Sequence, residues 1–351
     1  MHNQILAQYG IHLSNSQIQL FGDGLINKTW KIKTVTGNYI LQQVNASVFK
    51  TPEDIDENLT KLRLYLDKNN PGYLFISPLP TQHGESLVKT QDGYFRLFPF
   101  VENSHSLNVL SQPEEAFEGA AQFGKFSRVL QDFDVSQLKI TLPDFHNLSL
   151  RYQQFNTALK NASEERMAHS SDLIGFIQDH RHIVNTYEEI VNGNLIPVRV
   201  VHHDTKINNV LLDQQNKGMC VIDLDTVMPG YFISDVGDMM RTYLSSANEE
   251  ETDLAQINVR KDFFKAIYMG YMSEMGNVLT AEEQEYFIYS GKFLIYMQAI
   301  RFLTDYLSED VYYGSRYPGH NLNRAANQIR LLECYLKMED ELSTMVTTAR
   351  Y

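Results

Sequence analysis

The spacing of hydrophobic residues along the chain changes from the alternation of β-strands to the longer period of α-helices. Alternating segments separated by glycine-bearing turns come first, and they predict antiparallel strands over residues 28–34, 39–44, 86–89 and 94–101. Beyond Gln112 the period is helical, and it predicts helices over residues 113–131, 150–160, 172–191, 253–275, 281–307 and 318–338. We therefore expect an α+β protein with a small antiparallel β-rich N-terminal lobe, residues 1–101, and a large, mainly helical C-terminal lobe, residues 102–351.

Local signals predict three further elements. Residues 1–20 have the pattern of a short helix and a lead-in strand. A cap, a proline and an acid at residues 51–53 predict a helix that runs to about Lys68. The polar and β-branched residues 344–351 predict a frayed tail.

Two acidic clusters lie at the open ends of a predicted hairpin within residues 200–241. A short β-branched run ends at Val201 and leads into a polar loop, residues 202–209. Strands are predicted at residues 210–212 and 219–222, and Asp223 and Asp225 directly follow the second. Carboxylate and amide oxygens are the ligands that hard divalent cations prefer, so this segment predicts a metal site.

The spacing His-x-Asp-x-Lys-x-x-Asn in the polar loop points to phosphoryl transfer. Such a reaction needs an aspartate that orients the attacking hydroxyl and accepts its proton, and an asparagine and a second aspartate that bind metal. Asp204, Asn209 and Asp223 supply these groups in order, with Asp225 as a further candidate ligand. Lys206 is placed to neutralise charge on the transferred group. The residue at position 202 is expected to be a packed anchor of the loop.

Four segments of the chain resemble a known superfamily of enzymes. The segments HHDTKINNVLLD, CVIDLDTVMPGY and DVGDMMR, with RFLTDYL later, resemble the aminoglycoside phosphotransferase and choline kinase superfamily, and within it the N-acetylhexosamine 1-kinase group. The resemblance implies a protein-kinase-like two-lobe fold and an enzyme that uses ATP and Mg²⁺. It also implies a small-molecule acceptor, an amino sugar phosphorylated at its anomeric hydroxyl.

Three alternatives stay open at this level. A choline, amino-alcohol or aminoglycoside kinase belongs to the same superfamily, and a non-catalytic nucleotide-binding regulator is a different class. A protein kinase is disfavoured, because Asp-Leu-Asp at residues 223–225 replaces Asp-Phe-Gly and no Ala-Pro-Glu follows.

The nucleotide-binding residues follow from the strands of the N-terminal lobe. Backbone N–H groups of a glycine-bearing turn can contact phosphates, and the candidates there are Gly22, Gly24 and Asn27. Phe100 and Glu102 lie in the expected connection between the lobes, where kinase-like folds bind adenine.

A departure from the family pattern concerns the phosphate clamp. The family places a basic residue on the third strand, and Gln42 stands there. An amide can donate a hydrogen bond to a phosphate but cannot neutralise it. Lys28, Lys31, or Lys206 with Mg²⁺ are the candidates to supply the charge. Glu57 is the acid that would pair with a strand cation, and a solvated helix face is its alternative.

The acceptor site is expected in the helical lobe. The candidate residues are His146, Asn147, Arg301, Asp305, Tyr317 and Asn321. For residue 147 the alternative is helix capping, and for residues 301 and 305 it is an internal ion pair. Asp235 and Asp238 are expected to hold the backbone of the polar loop, and a metal role is their alternative. Ser234 or Asp235 is expected to cap their helix.

Composition narrows the function classes. A length of 351 residues with 43% hydrophobic content is enough to bury a large core, and no apolar run is long enough for a membrane span. A net charge of −13 argues against nucleic-acid binding and favours a neutral or cationic co-substrate. Two cysteines and no signal-peptide pattern at the first residues predict a cytoplasmic protein.

Overall fold

The structure is a computed structural model that describes residues 2–12, 17–22, 26–35 and 37–349. Its strands are β1 (Gln17–Leu20), β2 (Lys28–Lys33), β3 (Asn38–Val44), β4 (Val88–Thr90), β5 (Gly93–Pro99), β6 (Arg199–Val201), β7 (Val210–Leu212), β8 (Gly218–Val221) and β9 (Met228–Gly230). Its helices are α1 (His2–Gln8), α2 (Pro52–Asn69), α3 (Pro113–Val129), α4 (Leu148–Asn161), α5 (Glu164–His169), α6 (Ser171–Asp179), α7 (His182–Gly193), α8 (Phe232–Tyr243), α9 (Lys261–Met275), α10 (Ala281–Glu285), α11 (Phe287–Leu307), α12 (His320–Lys337) and α13 (Glu339–Ala349).

The chain divides into two compact units. Unit 1 comprises Met1–His105, Asp132–Pro143 and Leu211–Pro229, and unit 2 comprises Ser106–Gln131, Asp144–Val210 and Gly230–Tyr351. A β-rich first unit and a mainly helical second unit agree with the expected α+β class. The lobe boundary after residue 101 stays a prediction, and unit 1 additionally contains two later segments of the chain.

Unit 1 is built on a five-stranded antiparallel sheet with the order β1-β2-β3-β5-β4. One face packs against α1 in a buried cluster of Ile5, Leu6, Ile32, Leu41, Val88, Phe95 and Leu97, and Trp30 packs partly buried against it. Strands β3 and β5 place Leu41 opposite Leu97 and Gln42 opposite Arg96. Because successive side chains point to opposite faces, Gln42 and Arg96 share the face that α1 does not cover.

Helix α2 of unit 1 has the predicted start signals, with Pro52 in its first turn and two acids after it. Its buried side includes Asn58, which is 1% exposed. The Asn58 amide donates to the backbone oxygens of Lys139 at 2.9 Å and Val227 at 3.1 Å. Buried amides need such partners, so α2 holds the segment that follows Asp223. Glu57 instead pairs with Lys61 at 2.5 Å on the exposed side, which is the solvated alternative.

Unit 2 is organised around α11, which is buried on most of its circumference and packs against α4, α7, α8 and α12. Helix α3 packs along α9. Gly237 allows α8 to approach α11 closely, and Gly270 allows α9 to approach α3 closely. A Cβ at Gly237 would lie 2.3 Å from the Ser290 carbonyl oxygen, and one at Gly270 would lie 2.3 Å from that of Phe117. None of the described helices has the length and apolar character needed to cross a bilayer.

Several predicted helices have different bounds in the structure. The segment 172–191 is two helices, because α6 ends at Asp179 and α7 begins at His182. Between them, the ring Nδ1 of His180 lies 2.8 Å from the Phe176 carbonyl oxygen. The segment 281–307 is also two, with a break at Tyr286. The segment 253–275 becomes α-helical only at Lys261, and α5 was not predicted.

The prediction of a frayed tail is wrong for the described residues. Residues 344–349 are the last part of α13, a helix in which Leu342 and Val346 are buried. Glu339 pairs with Lys292 and Glu341 pairs with Lys261. Two apolar positions four residues apart are enough to dock a helix whose other face is polar.

Candidate active site

The polar loop predicted as catalytic follows β6 in unit 2 and ends in a single 3₁₀ turn, Ile207–Asn209. The Lys206 ammonium lies 3.0 Å from Asp204 Oδ1. Asn209 Nδ2 donates to Asp204 Oδ2 at 3.1 Å and to the Asp204 carbonyl oxygen at 2.9 Å. The loop therefore brings together three of the residues predicted from the sequence.

The charges of this loop keep its aspartate ionised. Burial raises the pKa of Asp204, but the ammonium and hydrogen bond of Lys206 lower it, and the pKa lies below the ordinary value of 3.8. The same attraction raises the pKa of Lys206. At neutral pH Asp204 is a carboxylate that can orient a hydroxyl and accept its proton.

Helix α8 holds the loop through two buried aspartates. Asp235 accepts the backbone N–H groups of His202 at 3.0 Å and His203 at 2.7 Å, and Asp238 accepts that of Thr205 at 2.8 Å. This confirms the expected holding role. The expected cap is wrong, because α8 begins at Phe232 and both Asp235 oxygens bind the loop. Burial raises the pKa of Asp235 to about 7, although the two N–H donors lower it.

The two histidines before Asp204 have different surroundings. His202 is fully buried, with its ring edge-on to Phe123 and Phe126, so it is a packed anchor as predicted. His203 has a φ of 66°, in the left-handed region. Its ring also fills the space next to Gly230, where a Cβ would lie 2.5 Å from His203 Nε2.

A chain of alternating charges continues from Asp238 through unit 2. Arg241 donates to Asp238 Oδ1 at 2.9 Å and to Glu249 Oε2 at 3.1 Å. Arg324 donates to the other Glu249 oxygen at 2.5 Å. We call Asp238, Arg241, Glu249 and Arg324 the ion chain. Burial raises the pKa of Glu249, but the two arginines lower it below the ordinary value.

A polar cluster next to His203 consists of His146, Arg151 and Arg301, and we call it the His146 cluster. The His146 ring stacks on Phe145 at 4.5 Å and lies 5.3 Å from the His203 ring. His146 Nδ1 and Arg151 Nε are buried without a hydrogen-bond partner in the described part of the chain.

The electrostatics of the His146 cluster are unusual. Among the described residues, neither guanidinium forms an ion pair, and Arg301 donates only a 3.3 Å hydrogen bond to Gln298. Burial and then the positive charges of His203 and Arg301 hold the pKa of His146 well below its usual range. Burial and Arg301 also lower the pKa of Arg151. The cluster thus offers a neutral imidazole and two unneutralised cations.

The other predicted acceptor residues hold the surrounding loops. Asn147 caps α4, accepting the Leu150 N–H at 3.1 Å, which is the capping alternative. Asp305 accepts the N–H groups of Tyr312 at 2.7 Å and Tyr313 at 2.8 Å, so the alternative Arg301–Asp305 pair is not formed.

Two further predicted acceptor residues lie around α12. Asn321 donates to Asp305, Asp310 and the Gly314 carbonyl oxygen. Tyr317 is 40% exposed and lies beside His320. Contact of these side chains with an acceptor stays a prediction.

Unit 1 contains the second acidic cluster. Asp223 follows β8 with a φ of 59°, a left-handed conformation that non-glycine residues adopt mainly at constrained or functional positions. Asp225 is buried, forms an ion pair with Arg96, and accepts from Asn27 Nδ2 at 2.7 Å. Gln42 Oε1 in turn accepts from Arg96 Nε at 3.0 Å.

The remaining nucleotide candidates also lie in unit 1. Gly22 is exposed with a φ of 77°, whereas Gly24 lies outside the described residues. The Phe100 ring carries the Lys31 ammonium 3.3 Å from its centroid, and Phe21 lies edge-on to it. Glu102 accepts from Asn38 at 2.7 Å. Binding of a nucleobase at Phe100 and Glu102 stays a prediction.

Each unit contains oxygen donors of the kind that a hard divalent cation binds. Asn209 directs its amide nitrogen to Asp204, and its Oδ1 accepts no hydrogen bond from a described residue, so a hard oxygen is available. Asp223 and Asp225 add carboxylates. No group of three or more His, Cys, Asp or Glu side chains with metal-binding geometry occurs among the residues that the structure describes. The metal roles of Asn209, Asp223 and Asp225 stay predictions.

Solved structures share this fold. An aminoglycoside phosphotransferase from Alicyclobacillus acidocaldarius is 14% identical, with 98% of this chain and 95% of that chain covered and a TM-score of 0.68. A spectinomycin phosphotransferase in complex with ADP and spectinomycin is 14% identical, with 96% and 97% covered and a TM-score of 0.61. A microcompartment-associated aminopropanol kinase is 17% identical, with 96% and 97% covered and a TM-score of 0.60.

The fold is thus the protein-kinase-like fold of small-molecule phosphotransferases. A sequence profile described as the phosphotransferase enzyme family, APH, matches residues 17–264. The chain belongs to this family, and it is a phosphotransferase enzyme.

Three residues of these clusters were not found from the sequence. Arg96 lies opposite Gln42, and an arginine within an alternating strand beside the suspected clamp was an available signal. Arg151 follows the predicted acceptor residue Asn147 by four positions, which alone does not indicate a role. Glu249 gave no signal, because its partners are 8 and 75 residues away along the chain.

Proposed function

We propose that the protein is an ATP- and Mg²⁺-dependent kinase that phosphorylates an N-acetylhexosamine, N-acetylgalactosamine or N-acetylglucosamine, at its anomeric hydroxyl. Asp204 would orient that hydroxyl and take its proton as the oxygen attacks the terminal phosphorus of ATP. ADP leaves, and the sugar 1-phosphate is formed. Asn209 and Asp223 would hold Mg²⁺, with Asp225 as a further ligand, and Lys206 would stabilise charge on the transferred group. Bound Mg²⁺ supplies charge neutralisation at the phosphates.

The charge of the His146 cluster is the observation that supports a neutral acceptor. The two guanidiniums pair with no carboxylate of the described residues, and they lie next to a neutral imidazole whose buried Nδ1 has no hydrogen-bond partner among those residues. Such groups are suited to hydroxyl and amide oxygens. They would repel an acceptor that carries positive charge. The cluster is adjacent to the residue before Asp204, which is where an acceptor hydroxyl must be bound. A neutral amino sugar with an acetamido oxygen meets these requirements.

The second candidate is a kinase of amine-bearing acceptors. The names of similar structures, aminoglycoside and spectinomycin phosphotransferases and an aminopropanol kinase, favour it. Exposed tyrosines at positions 312 and 317 would offer aromatic faces to a cation. A non-catalytic regulator is the third candidate, and the ionised Asp204 beside Lys206 and Asn209 speaks against it.

The test is a substrate panel with phosphorus NMR of the products. Purified protein with MgATP would be given N-acetylgalactosamine, N-acetylglucosamine, galactose, choline and kanamycin. We expect a sugar 1-phosphate. Turnover of choline or kanamycin alone would overturn the sugar assignment but keep the kinase, and nucleotide binding without any turnover would favour the regulator.

A variant of Arg301 tests whether this residue contacts the acetamido group of the sugar. Arg301→Gln should reduce kcat/KM for N-acetylgalactosamine by about tenfold or more, while kcat/KM for galactose, which lacks the acetamido oxygen, changes little. Arg181→Gln changes an exposed arginine of the same unit and is the matched control. Equal losses for both sugars would argue against an acetamido contact.

A further inference from the structure

We propose that Arg96 on β5 is the cation that binds the nucleotide phosphates, in place of the basic residue expected on β3. The proposal rests on the proposed kinase function, and it names a residue that the sequence pattern did not. It is carried by three features of unit 1: the strand register, the burial of the guanidinium, and the hydrogen bonds that it makes and leaves unmade.

The strand register places a cation on the neighbouring strand, directly opposite the position where a basic residue was expected. Gln42 occupies the expected basic position, and Arg96 is its direct partner on β5. Directly opposed side chains in an antiparallel pair lie on the same face with Cβ atoms about 5 Å apart. A side chain as long as arginine therefore reaches the space that a cation at residue 42 would occupy.

Gln42 acts on Arg96 and not as the clamp itself. Its Oε1 accepts from Arg96 Nε at 3.0 Å and from Nη2 at 2.5 Å. A glutamine oxygen that accepts two guanidinium hydrogens fixes the plane of the fork. Gln42 is thus a positioning residue for Arg96.

Arg96 retains hydrogen-bonding capacity in a buried place. The residue is only 3% exposed, which is rare for arginine unless its charge is matched. Nη2 also bonds Asp225, whereas Nη1 makes no hydrogen bond to a described residue. A guanidinium held on one edge with its remaining amino group free is suited to phosphate oxygens.

The neighbour of Arg96 is itself a candidate metal ligand. Asp225 is held by Arg96 on one oxygen and by Asn27 on the other, and its backbone oxygen accepts from Thr141 at 2.8 Å. Asn27 is in turn bound to the Asn45 N–H at 2.9 Å. Arg96 and Asp225 therefore stand side by side, a cation for phosphate oxygens and a carboxylate for a divalent ion.

The lysines considered from the sequence are less suited. Lys28 lies opposite Gln43, so it points to the other face of the sheet. Lys31 shares the face of Gln42, but its ammonium lies over the Phe100 ring. On this face, among described residues of β2, β3 and β5, Arg96 is the cation nearest along the strands to the expected position.

A purely structural role is the competing explanation, in which Arg96 only neutralises Asp225. Isothermal titration of the full-length protein distinguishes the two, because adenosine lacks phosphates. The measured quantities are the Kd values of adenosine, of ATP without Mg²⁺, and of MgATP. The variants are Arg96→Gln, Arg96→Lys, and the exchange Arg96→Gln with Gln42→Lys, which moves the charge to the expected strand. Arg63→Gln removes a half-exposed arginine of unit 1 as the control.

We expect Arg96→Gln to weaken both forms of ATP by about tenfold or more and to leave adenosine within about twofold. The exchange variant should recover most of the ATP affinity, and Arg63→Gln should match the wild type. Circular dichroism would establish that each variant is folded. If Arg96→Gln does not fold, Arg96→Lys keeps the buried charge, and a loss of ATP affinity without loss of adenosine affinity is still expected.

Two results would overturn the proposal. One is unchanged ATP affinity in folded Arg96→Gln or, failing that, in Arg96→Lys. The other is an equal loss of adenosine and ATP affinity, which is the result of a structural role. Failure of the wild type to bind any nucleotide would contradict the kinase function as well, so the two failures are distinguishable.

Discussion

The ammonium of Lys206 lies 3.0 Å from one carboxylate oxygen of Asp204, and this contact decides the protonation state of the candidate base. Burial alone would push that carboxyl toward its neutral form. The adjacent cation keeps it ionised, and Asn209 binds its other oxygen. The pair therefore combines two tasks that the proposed reaction needs, a charged base and a nearby cation.

Asp204→Asn should reduce kcat by about 10²–10⁴-fold, because an amide cannot accept the proton of the acceptor hydroxyl. The Kd of MgATP should stay within a few fold. The control is Asp172→Asn, an exposed acid of the same unit. Coupled-assay kinetics and titration calorimetry give the two quantities, and retained turnover would remove Asp204 from the role of base.

Lys206→Met should move the acidic limb of the kcat/KM profile to higher pH. The attraction of Lys206 lowers the pKa of Asp204 below 3.8, and without it burial raises the pKa. Lys206→Arg keeps the charge and should leave the limb in place. Steady-state rates from about pH 4 to 8 would show the shift, and an unmoved limb in the methionine variant would contradict it. The kcat should also fall by at least about tenfold.

Gly230→Ala should impair the acceptor side more than the nucleotide side. The new Cβ would lie 2.5 Å from His203 Nε2 and 2.7 Å from Cε1, so the ring next to His146 must move. We expect the KM of the acceptor to rise several fold, with the KM of ATP little changed. Gly175→Ala in α6 meets open space and should stabilise the protein by about 0.5–1 kcal/mol. Equal changes in both KM values would argue against this account.

Asp235→Asn should flatten the dependence of stability on pH. The folded-state pKa of Asp235 is about 7, above its ordinary value of 3.8. The folded protein therefore binds an extra proton between these values, and this stabilisation is complete below about pH 4 and is lost as pH rises through about 7. Urea unfolding of wild type and variant at several pH values tests this. A slope that persists in the variant would assign the effect to another group.

Glu249→Gln should destabilise unit 2 and also disturb the polar loop at residues 202–209. The substitution leaves Arg241 and Arg324 without their shared carboxylate, and Arg241 orients Asp238 against Thr205. We expect a loss of at least about 1 kcal/mol in the free energy of unfolding and a several-fold decrease in kcat. Glu333→Gln breaks a half-exposed pair in α12 and should cost less than about 0.5 kcal/mol. An unchanged kcat in destabilised Glu249→Gln would limit the ion chain to stability.

The strands around the polar loop were predictable because their signals are local. Alternation, glycine turns and the spacing from Asp204 to Asn209 lie within a few residues of one another, and the structure has the elements at nearly the predicted bounds. Helix ends were harder to predict, since the hydrophobic pattern of residues 172–191 and 281–307 did not indicate the breaks before His182 and at Tyr286.

The polar partners of the site were less predictable, because they depend on register and tertiary contacts. The pairing of Gln42 with Arg96 needs the alignment of β3 with β5, which the hydrophobic pattern of each strand does not determine to the residue. Asp305 was expected to face the acceptor, yet it binds the backbone of the loop at residues 312–313, which lies beyond its own helix. A polar stripe on a buried helix indicates that partners exist without indicating which ones.

The single tryptophan of the chain has an optical consequence. Trp30 lies on β2 against the core of unit 1, with the His2 ring 4.6 Å from its own. Indole emission therefore monitors only the β-rich unit, whereas far-ultraviolet ellipticity is dominated by the helices of unit 2. Recording both signals in one denaturation experiment would reveal whether the two units melt cooperatively, and no label has to be introduced.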